Sequence, residues 1–259
     1  MAEVIIVDSA DQAGELIASE IIAVITAKPD AVLGLATGST PLPVYRALAA
    51  RRDEVDLSRV SAFALDEYVG LPVSHPESYR SVITRDVVEP LGLDPRRVHV
   101  PNGSLDTIQH AGADYEAAIE AAGGVDLQIL GIGTDGHIGF NEPGSSFASR
   151  TRVKTLTMQT RRDNARFFDS IDDVPMHCIT QGLGTISRAR HLVLLAFGEG
   201  KAHAVAGAVE GPLTASLPGS ALQLHERATV LVDEAAASQL QNANYYRHAY
   251  ANKPSWQGL

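Results

Sequence analysis

Leu130-Gly131-Ile132-Gly133-Thr134-Asp135-Gly136-His137-Ile138-Gly139-Phe140-Asn141-Glu142-Pro143 packs an acid, an imidazole and a second acid behind an apolar run. Leu127 to Ile132 is a short apolar run bounded by glycines, the pattern of a parallel strand covered on both faces, and it empties into a loop. In open α/β sheets ligands collect at such strand ends. Gly131, Gly133, Gly136 and Gly139 let the backbone turn sharply and approach a ligand, while Asp135, His137 and Glu142 supply proton-transfer groups. The spacing suggests a relay in which carboxylates hold the tautomer and charge of one histidine. Two other readings stand beside it. The segment can be a glycine-rich turn whose Asp and Asn cap the next element, or a metal site on the same three side chains, although the usual Cys/His or paired-His spacings are missing.

Outward from this strand, β and α signals alternate. Val4 to Val7 reads as a first strand, with Asp8 or Ser9 capping a helix from Ala13 to Ile25. Ala31 to Leu35 is a second strand, running into Ala36-Thr37-Gly38-Ser39-Thr40-Pro41 before a helix from Leu42 to Arg51. Such a loop presents hydroxyls and free N–H groups together, which suits an anionic phosphate; structurally it also reads as a plain helix cap. Val60 to Leu65 is a third strand ending in Asp66-Glu67-Tyr68, where the carboxylates are either functional or ordinary turn residues. Val98 to Val100 is a brief strand and Leu105 to Ala122 an amphipathic helix. Thr151 to Leu156 can pair as a strand, Arg161, Arg162 and Arg166 sit on a short helix, and Cys178 to Thr185 reads as a turn-forming stretch. His191 to Ala196 is a strand, Gly198 to Lys201 opens a helix, and Ala228 to Val232 is the last strand. The count predicts an α/β fold: a doubly wound, mostly parallel sheet of about seven strands with flanking helices. One domain over residues 1–259 is expected, with a flap around 144–185.

Composition narrows the function classes. A net charge of -10 argues against general nucleic-acid binding, so an anionic substrate must meet a local cluster of donors. Met1-Ala2-Glu3-Val4 shows no basic leader, and no apolar run approaches a membrane span, so a cytoplasmic protein is expected. The single cysteine, Cys178, forms no intramolecular disulfide and no cysteine metal cage, and reads as a buried small apolar side chain. No Gly-x-Gly-x-x-Gly turn follows the first strand and no Walker lysine motif occurs, so nicotinamide and nucleotide cofactors are not implied.

Taken together, Leu35 to Pro41, Leu65-Asp66-Glu67-Tyr68-Val69-Gly70-Leu71-Pro72, the Gly133-to-Glu142 loop, Ser149 to Leu156 and Leu222-Gln223-Leu224-His225 closely resemble the glucosamine-6-phosphate deaminase family over almost the whole chain. The resemblance implies a Rossmann-like fold, no metal or other cofactor, and conversion of glucosamine 6-phosphate and water to fructose 6-phosphate and ammonia. It implies that Asp66 is the enolisation base and that His137 is the ring-opening base, with Asp135 and Glu142 as charge partners. Phosphate recognition would fall to Thr37, Gly38, Ser39 and Thr40 with Arg166 and Lys201. The family's allosteric members bind N-acetylglucosamine 6-phosphate between subunits of a hexamer. Ser145, Arg152, Lys154 and Thr155 match that effector site, with Tyr245 as a loosely aligned aromatic contact, so a homo-oligomer is expected. A sugar-phosphate lactonase or pentose-phosphate isomerase would share the phosphate loop without needing both acid-bearing motifs. The sugar-sensing domain of a transcription regulator would bring an attached DNA-binding segment.

Overall fold

His191–Ala196 is buried at all six positions, and Val32–Leu35 and Leu127–Leu130 at all four. A strand with no exposed face belongs to a sheet with helices on both sides. The computed structural model describes residues 2–254 and 256–259, so Met1 of the N-terminal stretch lies outside the described residues. In chain order the strands are β1 (Glu3–Val7), β2 (Val32–Leu35), β3 (Ser61–Ala64), β4 (Asp66–Tyr68), β5 (Val98–His99), β6 (Leu127–Leu130), β7 (Arg152–Thr155), β8 (His177–Thr180), β9 (His191–Ala196) and β10 (Ala228–Asp233). The helices are α1 (Ala10–Ala27), α2 (Leu42–Ala50), α3 (Tyr79–Ile83), α4 (Glu89–Leu91), α5 (Ile108–Ala121), α6 (Met158–Asn164), α7 (Leu183–Ile186), α8 (Ala202–Val209) and α9 (Ala243–Ala251).

Local chemistry explains the helix starts. Ser9 caps α1 by accepting from Gln12 N at 3.1 Å, and Ala13, Ile17, Ile21 and Ile25, four residues apart, form its buried stripe. Ser78 caps α3 and Thr157 caps α6 in the same way. By contrast α2 begins after Pro41 without a side-chain cap, as do α4, α5, α7, α8 and α9.

Seven strands form one parallel sheet in the order β1-β10-β9-β6-β2-β3-β5. The chain winds outward from β2 through β3 to β5, then returns to the other side of β2 to lay down β6, β9 and β10. The order therefore reverses between β2 and β6, and a crevice opens at their carboxyl ends. The Ala36-to-Pro41 loop and the Gly131-to-Glu142 loop leave the sheet at that point.

A second, antiparallel sheet of three strands, β4-β8-β7, stands over the crevice. Two segments differ here from the sequence reading. Asp66-Glu67-Tyr68 is an edge strand rather than a turn, and His177–Thr180 is the middle strand where Cys178 to Thr185 reads as turn-forming. Acidic residues have low strand preference, and these short strands are fixed by partners more than a hundred positions away, so no local periodicity announces them. Tyr68, Phe140, Leu156, Val174 and Cys178 form a small core for this sheet, and Cys178 is fully buried as expected. Among the described residues no helix is long and apolar enough to cross a membrane.

Gly34 on β2 lies directly opposite Gln128 on β6, and a Cβ at Gly34 would fall 2.0 Å from Gln128 Oε1. Gly34→Ala is expected to destabilise the protein by about 1–3 kcal/mol through overpacking, seen as a lower Tm in thermal unfolding. Adding Gln128→Ala should recover part of the loss, and full additivity of the two changes would contradict this packing account.

Candidate active site

The tight loop after β6 places an imidazole between two carboxylates. Gly133 N donates to His137 O at 2.9 Å and Gly136 N to Gly133 O at 3.0 Å, with Gly136 at φ +85°. This closure presses the ring against the Gly133 backbone, where a Cβ would sit 2.3 Å from His137 Cε1, so the loop requires glycine there. Asp135 Oδ1 lies 2.7 Å from His137 Nδ1, and Glu142 Oε2 lies 3.7 Å from the same nitrogen. Neither Nδ1 nor Glu142 Oε2 has an aligned hydrogen-bond partner, so the short Asp135 contact is a close approach without a straight N–H···O line. Burial works against the Asp135 charge, but its contacts with His137 outweigh it and hold the carboxyl at about 2. Glu142 is almost fully buried and fixed through Oε1, which accepts from Thr157 N at 3.0 Å.

Asp66 approaches from the other sheet. It begins β4 opposite Thr180 of β8, and its Oδ2 faces the Gly139 backbone. The Phe140 N–H donates to Thr180 Oγ1 at 3.1 Å, and Asn141 Nδ2 donates to Gln181 O at 2.8 Å, so the histidine loop is stitched to the end of β8. Tyr68, Tyr79 and Phe140 stack around this floor with ring centroids 4.9 to 5.8 Å apart. Burial drives the Asp66 carboxyl up, the Glu67 charge adds to it, and His137 and the Phe140 N–H oppose it, leaving a value of about 7. The neighbouring Glu67 acts on the backbone instead, accepting from the N–H groups of Tyr68, Tyr79 and Arg80 at 2.8 to 2.9 Å and so anchoring the start of α3.

A cleft of about 370 Å³ covers these groups, within the range of small-molecule sites. Asp66, His137 and Gly139 line it, with Thr37, Gly38, Ser39 and Thr40 on one side and Arg166 and Lys201 on the other. Among the described residues, the N–H groups of Gly38, Ser39 and Thr40 have no acceptor, and no Thr37–Thr40 hydroxyl caps α2. The plain helix-cap reading of this loop therefore fails, and its donors face the cleft. Lys201 Nζ donates one proton to Ile132 O at 2.7 Å. Burial pulls its ammonium below the ordinary lysine range, with Asp163 opposing and the nearby Arg166 charge adding. An anion between Arg166 and Lys201 would relieve that pressure.

The residues expected for catalysis and phosphate binding thus meet at one site, with Asp135 and Glu142 behind His137. Ser145, Arg152, Lys154 and Thr155 do not line the cleft. Arg152 lies behind it, donating to Asn141 Oδ1 at 2.7 Å and to Ser145 Oγ at 3.3 Å. Lys154 shares its face of β7, whereas the pleat turns Thr155 to the exposed face. Tyr245 is exposed on α9, which packs beside β1 at one edge of the main sheet, so one chain does not bring it to this group. Sequence reasoning missed Asp163, Asn164 and Glu77, which also line the cleft. Nothing in their local pattern separates Asp163 and Asn164 from ordinary helix-surface residues, or Glu77 from an ordinary turn residue. Asp135, His137 and Glu142 also bring potential metal-ligand atoms within 4.8 Å of one another.

The sequence model of a family described as glucosamine-6-phosphate isomerases/6-phosphogluconolactonase matches residues 7–231. A glucosamine-6-phosphate deaminase from Bifidobacterium longum subsp. infantis is 61% identical over 100% of both chains. A solved structure described as a monomeric glucosamine-6-phosphate deaminase superposes with a TM-score of 0.89 at 41% identity, covering 92% of this chain and 100% of its own. The 6-phosphogluconolactonase from Leishmania guyanensis reaches a TM-score of 0.73 at 24% identity, covering 92% and 98%, which is a likeness of fold.

The raised Asp66 value carries a stability prediction. A carboxyl near 7 in the folded state and near 3.8 otherwise stabilises the fold only while protonated, so its contribution is lost as pH rises from 3.8 through about 7. Asp66→Asn removes that buried charge. The variant is expected to be more stable than wild type by about 2 kcal/mol near pH ~8, a Tm gain of roughly 5 °C, and by much less near pH ~5. Thermal unfolding at both pH values checks this; an equal gain at both, or a loss near pH ~8, would contradict the buried-charge account.

Proposed function

The chain belongs to the glucosamine-6-phosphate isomerase/6-phosphogluconolactonase family, and on that premise we propose that it converts glucosamine 6-phosphate and water to fructose 6-phosphate and ammonia. The observation that carries the reading is the Asp66 carboxyl held at about 7 on the cleft floor, beside a histidine framed by two carboxylates. His137 Nδ1 faces the carboxylates, which favours a proton on that nitrogen and leaves Nε2 with a lone pair for the substrate. His137 relays the anomeric hydroxyl proton to the ring oxygen and opens the sugar. Asp66, ionised, takes the proton from C2 and returns one to C1, so that the aldehyde becomes a C1 alcohol and the C2 amine an imine. Water then adds at C2 and ammonia leaves. A carboxyl near 7 can both accept and return a proton close to neutral pH.

The phosphate is met by the free N–H groups and hydroxyls of Thr37, Gly38, Ser39 and Thr40 at the start of α2, with Arg166 and Lys201 opposite. This local donor cluster is how a chain of net charge -10 holds an anionic sugar. No metal takes part in this chemistry. Residues 1–259 act as one catalytic domain in the cytoplasm, with residues 144–185 as a flap over the cleft.

The deciding experiment supplies purified protein with glucosamine 6-phosphate and follows ammonia and fructose 6-phosphate. Both should form in equal amounts in the presence of a chelator, and kcat/KM should fall as pH drops through about 7, when Asp66 becomes protonated. Asp66→Asn should lose about 10²-fold or more in kcat while still binding substrate. Near-normal turnover of that variant, or hydrolysis of 6-phosphogluconolactone in place of deamination, would overturn the reading.

Regulation is the finer part of the proposal. N-acetylglucosamine 6-phosphate activates a homo-oligomer, a hexamer, by binding at a subunit contact that includes Ser145, Arg152, Lys154 and Thr155, with Tyr245 as its aromatic contact. Support comes from Arg152: it holds Asn141, the residue before Glu142, so a ligand drawing on that guanidinium acts on the frame of His137. The effector should turn a sigmoidal substrate curve hyperbolic, with a coupling of about 1–3 kcal/mol, and Lys154→Ala should abolish the response. A monomer by mass measurement, hyperbolic with and without effector, would refute this regulation.

A further inference from the structure

The cage around His137 Nδ1 is more than a proton frame. Glu142 is only 3% exposed, yet its Oε2 has no hydrogen-bond partner and faces His137 Nδ1 at 3.7 Å. Nδ1 itself is buried without an aligned partner, and Asp135 Oδ1 stands 2.7 Å away on a side chain that is a quarter exposed. One nitrogen and two carboxylate oxygens, all within 4.8 Å, converge on a point beside the cleft. Tetrahedral zinc with bonds of about 2.0–2.2 Å places its ligand atoms roughly 3.4 Å apart, inside the spread seen here. Small movements of Asp135 would complete three protein ligands with a fourth position left for water.

We propose that Asp135, His137 and Glu142 form an inhibitory site for a borderline-soft divalent cation such as Zn²⁺, which acts by fixing the wrong imidazole tautomer. In the working enzyme the proton sits on Nδ1 and the Nε2 lone pair accepts. A cation bound to Nδ1 takes the lone pair of that nitrogen, so the single ring proton moves by exchange through solvent from Nδ1 to Nε2 and the ring stays neutral. The ring can then no longer act as a base toward the substrate, while Asp66, carried by the other sheet, keeps its function. The cation is thus expected to block ring opening and to spare proton transfer on an open chain. This inference rests on His137 being the ring-opening base of the proposed deaminase.

The test titrates the full chain calorimetrically with ZnCl₂ in a non-chelating buffer, on wild type and on Glu142→Gln and Asp135→Asn, each first shown to be folded by circular dichroism. One Zn²⁺ per chain is expected, weakened at least about tenfold in either variant. Unchanged affinity in both would place the cation elsewhere and overturn the site. In parallel, Zn²⁺ should suppress deamination of glucosamine 6-phosphate, reversibly with EDTA. It should leave solvent-hydrogen exchange at C1 of 5-deoxyfructose 6-phosphate, which lacks the hydroxyl that closes the ring, within about twofold of its cation-free rate. Equal suppression of both reactions would overturn the tautomer mechanism. A chain with no deaminase activity would overturn the functional reading instead, and the calorimetry would still decide whether the site exists.

Discussion

Leu65 is shared between two sheets, and the site depends on that sharing. Its N–H donates to Leu35 O at 3.1 Å in the parallel sheet, and its carbonyl accepts from Gln181 N at 2.8 Å beside the antiparallel one. Ala64 O just before it is held by Tyr115 Oη at 2.7 Å and Gln181 Nε2 at 3.0 Å. With no turn between β3 and β4, the next residue, Asp66, must emerge at the carboxyl end of the parallel sheet with protein on every side but one. Burial of that carboxylate, and hence its raised affinity for a proton, is a consequence of backbone geometry before any substrate arrives. The histidine loop reaches it because β6 lies across the switch point from β2, and Thr180 and Asn141 bind that loop to β8.

The two sides of the cleft solve opposite electrostatic problems. On its floor, burial first and the Glu67 charge second raise the Asp66 carboxyl to about 7. The loop before α2 presents N–H groups that lack acceptors, and Arg166 and Lys201 add positive charge opposite it. A ligand with a phosphate at one end and an acidic C–H at the other satisfies both, which ties substrate class to the layout of charge rather than to any one side chain.

The parallel sheet was legible in the sequence because its strands are mostly apolar and separated by helical periodicity; His191 to Ala196 matches its predicted span residue for residue. The Asp135, His137, Glu142 cluster was legible because a single loop carries all three. The antiparallel sheet was not. Asp66–Tyr68 and His177–Thr180 owe their strand conformation to each other, and neither carries an alternating pattern long enough to show it. The role of Glu67 was hidden for the same reason, since its three N–H partners include two that begin a helix a dozen residues on. Arg152 and Lys154 were correctly placed on one face, but the inward bond from Arg152 to Asn141 depends on the sheet that the sequence concealed.

The fold itself holds the Asp66 carboxyl well above the ordinary carboxylate range. Labelling the aspartate carboxyl carbons and following their NMR shifts with pH in the ligand-free protein, with Asp66→Asn to assign the signal, measures this directly. The account predicts a midpoint of about 7 for Asp66. A midpoint at the ordinary carboxylate value of 3.8 would show that burial at the junction of the two sheets does not tune the group, and would contradict the account.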